Sequence, residues 1–424
     1  MSMIVPGIYN VFALLADGRF CLWEITGKPV IEITGIEAKA IARRYHNTRT
    51  LFILTHDNRF LVSNIPNDTW NTKRFMNGLQ DITALVCEAM EIKDRASHTF
   101  DICVDNSILV VRAEYSVGMF EPADIDGSQY STKIVYRFQD QIDLSGFGYR
   151  FGLVRTGNKL YFVGTCNTHT SYHPYTDRVL YVDTCENMCT EIDFLDVQGI
   201  GKIICFMRFV LLLMNDGRVY HSSLPEGPGD PHPCSAFEQV VFPSNECIIK
   251  IVSNESGAIY ITQEGTCYYG VNNMRCLKPI LLCSLTGLFV TDAFMLNNYI
   301  MIQYGNDRLC LLPLIQSIGR PYYSGYLDHG YVTGSKKPIN ILGCNECITS
   351  VTSVDSPNYY SMTYFTTTDG RVYQRNDGDS DDYDHTCSKS EPVSIQFFDD
   401  NPVACVRDPA ARIASAQSNP KHDD

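Results

Sequence analysis

Short apolar runs alternate with polar turn pairs along most of this chain, and the clearest instance is Phe209 to Ser222, FVLLLMNDGRVYHS. An apolar run reaches Asp216-Gly217, and a second begins with Arg-Val-Tyr. An Asp-Gly pair adopts the positive φ angles that a tight hairpin demands, and the flanking β-branched and aromatic residues suit a pleated, half-buried surface. The pattern predicts seven more hairpins. Their turn pairs are Asp17-Gly18, Asp57-Asn58, Asp105-Asn106, Gly157-Asn158, Glu264-Gly265, Asn306-Asp307 and Asp369-Gly370. Successive markers are 40, 48, 52, 59, 48, 42 and 63 residues apart. A mean near ~50 residues lies in the range of repeat architectures, and four short strands with their turns fill it. Leucine-rich and ankyrin repeats are shorter and would bring helices.

Further apolar segments, such as Ile200 to Phe206, Cys247 to Val252 and Cys347 to Val354, precede the hairpins, and others such as Val30 to Ile33 lie between them. The expected fold is therefore all-β: a single β-propeller over residues 1–407, with four-stranded antiparallel blades and a flexible tail over 408–424. Ile36 to Tyr45 has some helical character but falls where a strand is due. Eight hairpins argue for eight blades, whereas length favours seven. Seven is the preferred count, because units two and three are short and divergent and either can belong to an irregular blade, and eight is the close second. Unit one has few residues ahead of its hairpin, so Asn401 to Arg407 is expected to complete its sheet and protect the edge. One terminus would thus close the ring on the other.

Composition narrows the function. A 45% hydrophobic content supplies a core, which excludes a disordered chain. A net charge of −14 and a pI near 5.1 argue against a nucleic-acid binder, which needs clustered Lys and Arg. Seventeen cysteines, an odd number spread through apparent strands, make a poor disulfide framework and read as small buried hydrophobes in a reducing compartment. The start MSMIVPGIYN lacks a signal peptide's basic head and apolar core. The longest uncharged apolar stretch, Pro279 to Thr291, is short of the roughly 20 residues that span a bilayer. The expectation is a cytoplasmic or nuclear chain, monomeric by itself and not membrane-bound.

Candidate chemistry is sparse. Cys344-x-x-Cys347 has half of a zinc-ribbon spacing, but Cys185 and Cys189 do not complete it. The carboxylates Asp377, Asp379, Asp381, Asp382 and Asp384 are dense, yet the sixth and twelfth places of a calcium loop hold Asp382 and Ser388 instead of Gly and Glu. They read as a solvated acidic loop. Nucleophile elbows, Walker loops and His-Glu-x-x-His helices are absent. Histidines His169, His173 and His329 leave room for an enzyme site at a propeller mouth, the third reading. No cofactor and no metal are expected. The best lead is two aromatic loops interrupted by Gly or Pro. One holds Arg320, Tyr322, Tyr323 and Tyr326, with Tyr331 beyond; the other holds Tyr172, His173 and Tyr175. Tyr and Arg on a rigid scaffold anchor protein interfaces with little entropy loss. Packing between blades is the equally weighted alternative.

Asp216-Gly217-Arg218-Val219-Tyr220, Asp369-Gly370-Arg371-Val372-Tyr373 and Thr266-Cys267-Tyr268-Tyr269-Gly270-Val271-Asn272 resemble the regulator of chromosome condensation (RCC1-like) repeat. The chain departs from that repeat in lacking its Gly-x-x-His before each hairpin and most of its Trp-Gly pairs. The resemblance implies a propeller and a range of roles: interaction scaffold, ubiquitin-ligase subunit, or guanine nucleotide exchange factor for a small GTPase. No wedge motif of the exchange factors matches positions here, so no functional residue carries over. The reading is a non-catalytic scaffold that binds another protein through the loops of one face, with the exchange factor as the alternative.

Overall fold

The computed structural model describes residues 3–6, 10–15, 18–24, 31–43, 50–64, 78–105, 108–122, 130–148, 151–164, 169–172, 179–182, 188–205, 209–223, 236–243, 246–254, 257–271, 279–282, 287–295, 299–305, 308–315, 331–332, 348–355, 360–367, 372–379 and 393–395. They form eight four-stranded antiparallel sheets and a separate two-stranded one. The eight sheets run over residues 3–32, 38–81, 101–137, 142–192, 200–239, 248–281, 290–332 and 348–395. Each is a meander whose strands neighbour one another in chain order. In the fourth, a two-stranded arm, His169–Tyr172 with Val179–Val182, is inserted before the last strand, Met188–Ile192. The chain is nearly all-β, and its sheets have a propeller arrangement. Among the described residues one α-helix, α1 (Thr83–Ala89), lies in the link from the second sheet to the third. No helix among the described residues is long and apolar enough to cross a membrane.

The apolar runs are second strands, and their burial explains why they do not alternate. All six residues of Phe209–Met214 are buried. Side chains on a strand point alternately to its two faces. Phe209, Leu211 and Leu213 pack with Ile251, Tyr260 and Tyr268 of the sixth sheet, while Val210, Leu212 and Met214 pack with Leu153, Leu160 and Phe162 of the fourth. A strand buried on both faces reads as a continuous apolar run. Each such side chain contributes about 1.5–3 kcal/mol through burial. In the same way Ile259 and Ile261 join the core shared with the seventh sheet, and Ala258 and Tyr260 the core shared with the fifth.

Contacts divide the chain into two compact units, residues 1–135 with 346–424, and residues 136–345. Within the second, the first strand of the fourth sheet (Ile142–Gly148) lies beside that of the fifth (Ile200–Cys205). Likewise the first strand of the sixth (Ile248–Asn254) lies beside that of the seventh (Val290–Met295). Within the first unit, Met3–Pro6 lies between Ala38–Arg43 and Ile348–Asp355, and Ala38–Arg43 also flanks Asp101–Asp105. First strands side by side, with the later strands running outward, are what makes each unit propeller-like. Six of these first strands carry an irregularity at the same place, next to their first paired residue. Such bulges increase local twist.

Several expectations need correcting. The first sheet supplies its own first strand, Met3–Pro6, paired from Met3 with Leu14 to Pro6 with Val11. Pro6 is tolerated because only one side of this strand is hydrogen-bonded to its sheet. The first and last sheets meet as complete four-stranded sheets, and Asn401 to Arg407, expected to fill the gap, lies outside the described residues, as does 408–424. Neither unit two nor unit three is short of strands; residues 38–81 and 101–137 each make a four-stranded sheet. In unit three the marker Asp105-Asn106 joins the first and second strands, Asp101–Asp105 and Ile108–Arg112. The turn matching the other markers there is 113–115, with the Ala113 N–H donating to the Ser116 carbonyl at 2.9 Å. Ile36 to Tyr45 does contain the strand due there, Ala38–Arg43.

Candidate interaction faces

Every sheet has two ends. At the turn end the second and third strands are joined and the chain passes on to the next sheet. At the loop end lie the first-to-second and third-to-fourth connections.

The turn end is built by one repeated device. The Met214 N–H donates to the Arg218 carbonyl at 2.9 Å and the Gly217 N–H to the Met214 carbonyl at 3.0 Å, with Gly217 at φ +86°. The same pair of bonds recurs from Leu15, Thr55 and Thr262, with Gly18, Asn58 and Gly265 in the left-handed position. This is a hairpin loop one residue longer than the tightest kind, with a single residue at positive φ. Asp216 reinforces it: Oδ1 accepts from the Arg218 N–H at 3.0 Å and Oδ2 from Arg218 Nε at 2.6 Å. The backbone N–H of Arg218, then its guanidinium, hold the Asp216 carboxyl below its ordinary value despite some desolvation. Arg218 also reaches Asp196 at 3.2 Å and the Tyr220 hydroxyl at 2.9 Å.

Two of these turns are clasped by the sheet that follows, and the second turn by the link to the next sheet. The Gly217 carbonyl accepts from the Ile248 N–H at 3.2 Å, and the Gly265 carbonyl from the Val290 N–H at 3.0 Å. A Cβ on Gly217 would collide with Cys247 Sγ and stand 2.8 Å from the Ile248 nitrogen. At the second turn Asn58 replaces glycine, and its Nδ2 donates to the carbonyls of Arg95 at 2.8 Å and His98 at 3.0 Å, in the link to the third sheet. At the third sheet's turn Glu114 accepts from the Thr99 N–H at 2.7 Å and meets His98 Nδ1 at 2.6 Å. Burial works against ionisation there, but the Thr99 N–H and His98 prevail, and the carboxyl is held at about 2. At Gly217, Asn58 and Gly265 the motif that organises the sequence therefore serves to join neighbouring sheets.

The first strands of the second unit carry a charged row that sequence reading missed. Lys202, Lys250 and Asp292 each follow the bulge in their strand. Lys250 Nζ meets Asp292 Oδ2 at 2.5 Å, and Lys202 Nζ donates to the Ile251 carbonyl at 3.4 Å. Lys202 is held below the ordinary lysine value, first by desolvation of its ammonium group and then by the Lys250 charge, with Asp292 opposing. The signal was available, because their spacings of 48 and 42 residues equal those between the markers Asp216, Glu264 and Asn306. Among the described residues no three His, Cys, Asp or Glu side chains are grouped to hold a metal.

The aromatic candidates belong to the loop end. Tyr172 closes the first strand of the arm, its backbone paired with Val179. His173 and Tyr175 follow in the connection to the second arm strand, outside the described residues. Arg320, Tyr322, Tyr323 and Tyr326 also lie outside them, between Arg308–Ile315 and Tyr331–Val332. Both stretches join third to fourth strands, in the fourth and seventh sheets of the same unit. The acidic stretch differs from a plain loop: Asp377 and Asp379 close the strand Val372–Asp379, because its partner Tyr360–Thr367 is long enough to carry pairing on to Asp379 opposite Tyr360. Asp381, Asp382, Asp384, Cys185, Cys344 and Cys347 fall outside the described residues. Cys21, Cys205 and Cys267 are buried strand thiols, whereas Cys189 is exposed.

No protein-family model and no curated protein matches the chain. Solved structures do, at low identity. Human WBSCR16 is 11% identical, over 66% of this chain and 77% of that one, with a TM-score of 0.44. Prp20p from Saccharomyces cerevisiae, whose structure was described with its binding to Gsp1p and histones, is 11% identical over 74% and 80%, with a TM-score of 0.43. The computationally designed Ika8 protein is 11% identical over 88% and 94%, with a TM-score of 0.49. At 11% identity and TM-scores below 0.5 these likenesses add nothing to the propeller arrangement that the sheets themselves show.

Proposed function

We propose that this chain is a non-catalytic interaction module that binds a partner protein through the loop end of its second unit. The carrying observation is topological. The two aromatic stretches, 150 residues apart from Tyr172 to Tyr322, both connect third to fourth strands and so leave their sheets at the same end. Loops on a rigid scaffold vary without disturbing the sheets, and clustered Tyr and Arg make effective anchors. The arm His169–Tyr172 with Val179–Val182 supports its loop on a paired ribbon.

The test is a pull-down from native lysate with the full chain and with Arg320, Tyr322, Tyr323 and Tyr326 changed to alanine. Loss of specific partners from the variant is expected; an unchanged partner profile would overturn the reading. The repeat resemblance supports a sharper variant, exchange on a small GTPase. Accelerated GDP release from one member of a purified panel would establish it, and no acceleration across the panel would remove it.

A further inference from the structure

The turn end of the second unit has a surface chemistry of its own. Leu195, Val241, Ile249 and Phe289 are each more than half exposed. Leu195 lies in the link from the fourth sheet to the fifth and Val241 in the link from the fifth to the sixth. Ile249 is the bulge residue of the sixth sheet, skipped between the paired Ile248 and Lys250, which turns its side chain outward. Phe289 stands directly before the seventh sheet, over the Gly265 turn. The apolar residues therefore follow the turn ends of consecutive sheets. Singly, exposed apolar side chains need no explanation; a succession of them along one edge marks a binding surface.

Carboxylates are interleaved with them. Asp193, Asp196, Asp216 and Glu264 are exposed on the same links and turns. The Arg218 guanidinium among them is already engaged by Asp216 and Asp196. Between Val241 and Ile249, Glu246 has a carboxylate oxygen shielded from solvent with no hydrogen-bond donor among the described residues. An occupant complementary to this edge needs apolar side chains to cover the hydrophobes and cations to meet the carboxylates. We infer that the turn end of the second unit docks a Lys/Arg-rich amphipathic segment of a partner protein. This surface is separate from the aromatic loops, which leave the sheets at the other end.

The full chain is titrated with a fluorescent Leu/Lys amphipathic peptide, with a Leu/Glu peptide of the same pattern as control. Binding of the Leu/Lys peptide alone is expected, weakening as salt is raised. The variant L195S/V241S/I249S should lose about tenfold or more in affinity, the scale of interface anchors. If that variant melts early, D193N/E264Q decides instead, by weaker binding and a shallower salt dependence. The loop-end variant Y172A/Y175A should bind the peptide as the unaltered chain does, so failure of the loop-end reading leaves this one standing. No binding of the Leu/Lys peptide, equal binding of the Leu/Glu peptide, or undiminished affinity in both turn-end variants would overturn it. So would sedimentation showing a dimer that L195S/V241S/I249S disperses, since a second copy would then be the occupant.

Discussion

The two ends of the sheets in the second unit are made from the same repeat and follow opposite rules. At the turn end, Asp216-Gly217 and Glu264-Gly265 have nearly the same length, hydrogen bonds and dihedral angles, because the following sheet lies against each of them. At the loop end the third-to-fourth connections run from 272–279 in the sixth sheet to 165–187 around the arm in the fourth. A turn under contact from its neighbour has little freedom to change. The loop-end connections share no such repeated length. Regularity in this chain reports packing, and departures from it mark where binding is to be sought.

The largest effect should come from breaking a clasped turn. Gly217→Val places a β-branched residue at φ +86° and drives it into Cys247 and Ile248. A loss of about 3 kcal/mol or more is expected from left-handed strain and overpacking together, read by thermal or denaturant unfolding. Gly18→Ala sharpens the contrast, because Gly18 has φ +88° but open space around its Cβ position. It should cost only about 1–2 kcal/mol. Equal losses at the two sites would show that backbone angle alone, and not the neighbouring sheet, sets the turn.

Next comes Asn58→Gly, which keeps the left-handed angle and removes the two hydrogen bonds to the Arg95 and His98 carbonyls. About 1–3 kcal/mol should be lost through unsatisfied carbonyls, and amide exchange should quicken across 95–98. A neutral result would mean the bonds do not join these sheets.

Glu114 predicts a smaller, pH-dependent effect. Its carboxyl is depressed from 4.5 to about 2, so its contribution is complete above pH 4.5 and is lost as pH falls towards 2. Glu114→Gln should flatten the acid limb of stability in that window, and an unchanged limb would refute the assignment. The smallest change belongs to the loop end. Tyr172→Ala with Tyr175→Ala should alter stability by no more than about 0.5 kcal/mol per site. A large drop in melting temperature would show that these tyrosines pack within the protein and are not available to a partner.

The hairpins were legible because Asp-Gly between apolar runs is a local signal whose meaning does not depend on distant residues. The third unit misled for the same reason. Asp105-Asn106 has the residue types of a turn, but locally a turn between first and second strands looks like one between second and third. Helix α1 was missed because its apolar face amounts to Ile82, Val86 and Met90, too short a pattern for a window that seeks ten residues. Met3–Pro6 went unnoticed because a four-residue strand ending in proline has hardly any propensity signal; pairing with Asn10–Leu14 makes it a strand. Of the candidate site, the two aromatic loops were visible as composition, and their shared end was not.

What the residue order determined alone is the repeat: turn pairs that permit left-handed backbone, runs buried on both faces, and a period that fits four strands. These follow from the intrinsic angles of Gly and Asn and from the transfer of apolar side chains out of water, both properties of short stretches. Tertiary structure decided which residues become neighbours across sheets. It set Lys250 against Asp292, 42 residues on, the Gly217 turn under Ile248, and Leu195, Val241, Ile249 and Phe289 along successive turn ends. Those juxtapositions depend on sheets stacking face to face in sequence, an outcome of packing that no single segment encodes.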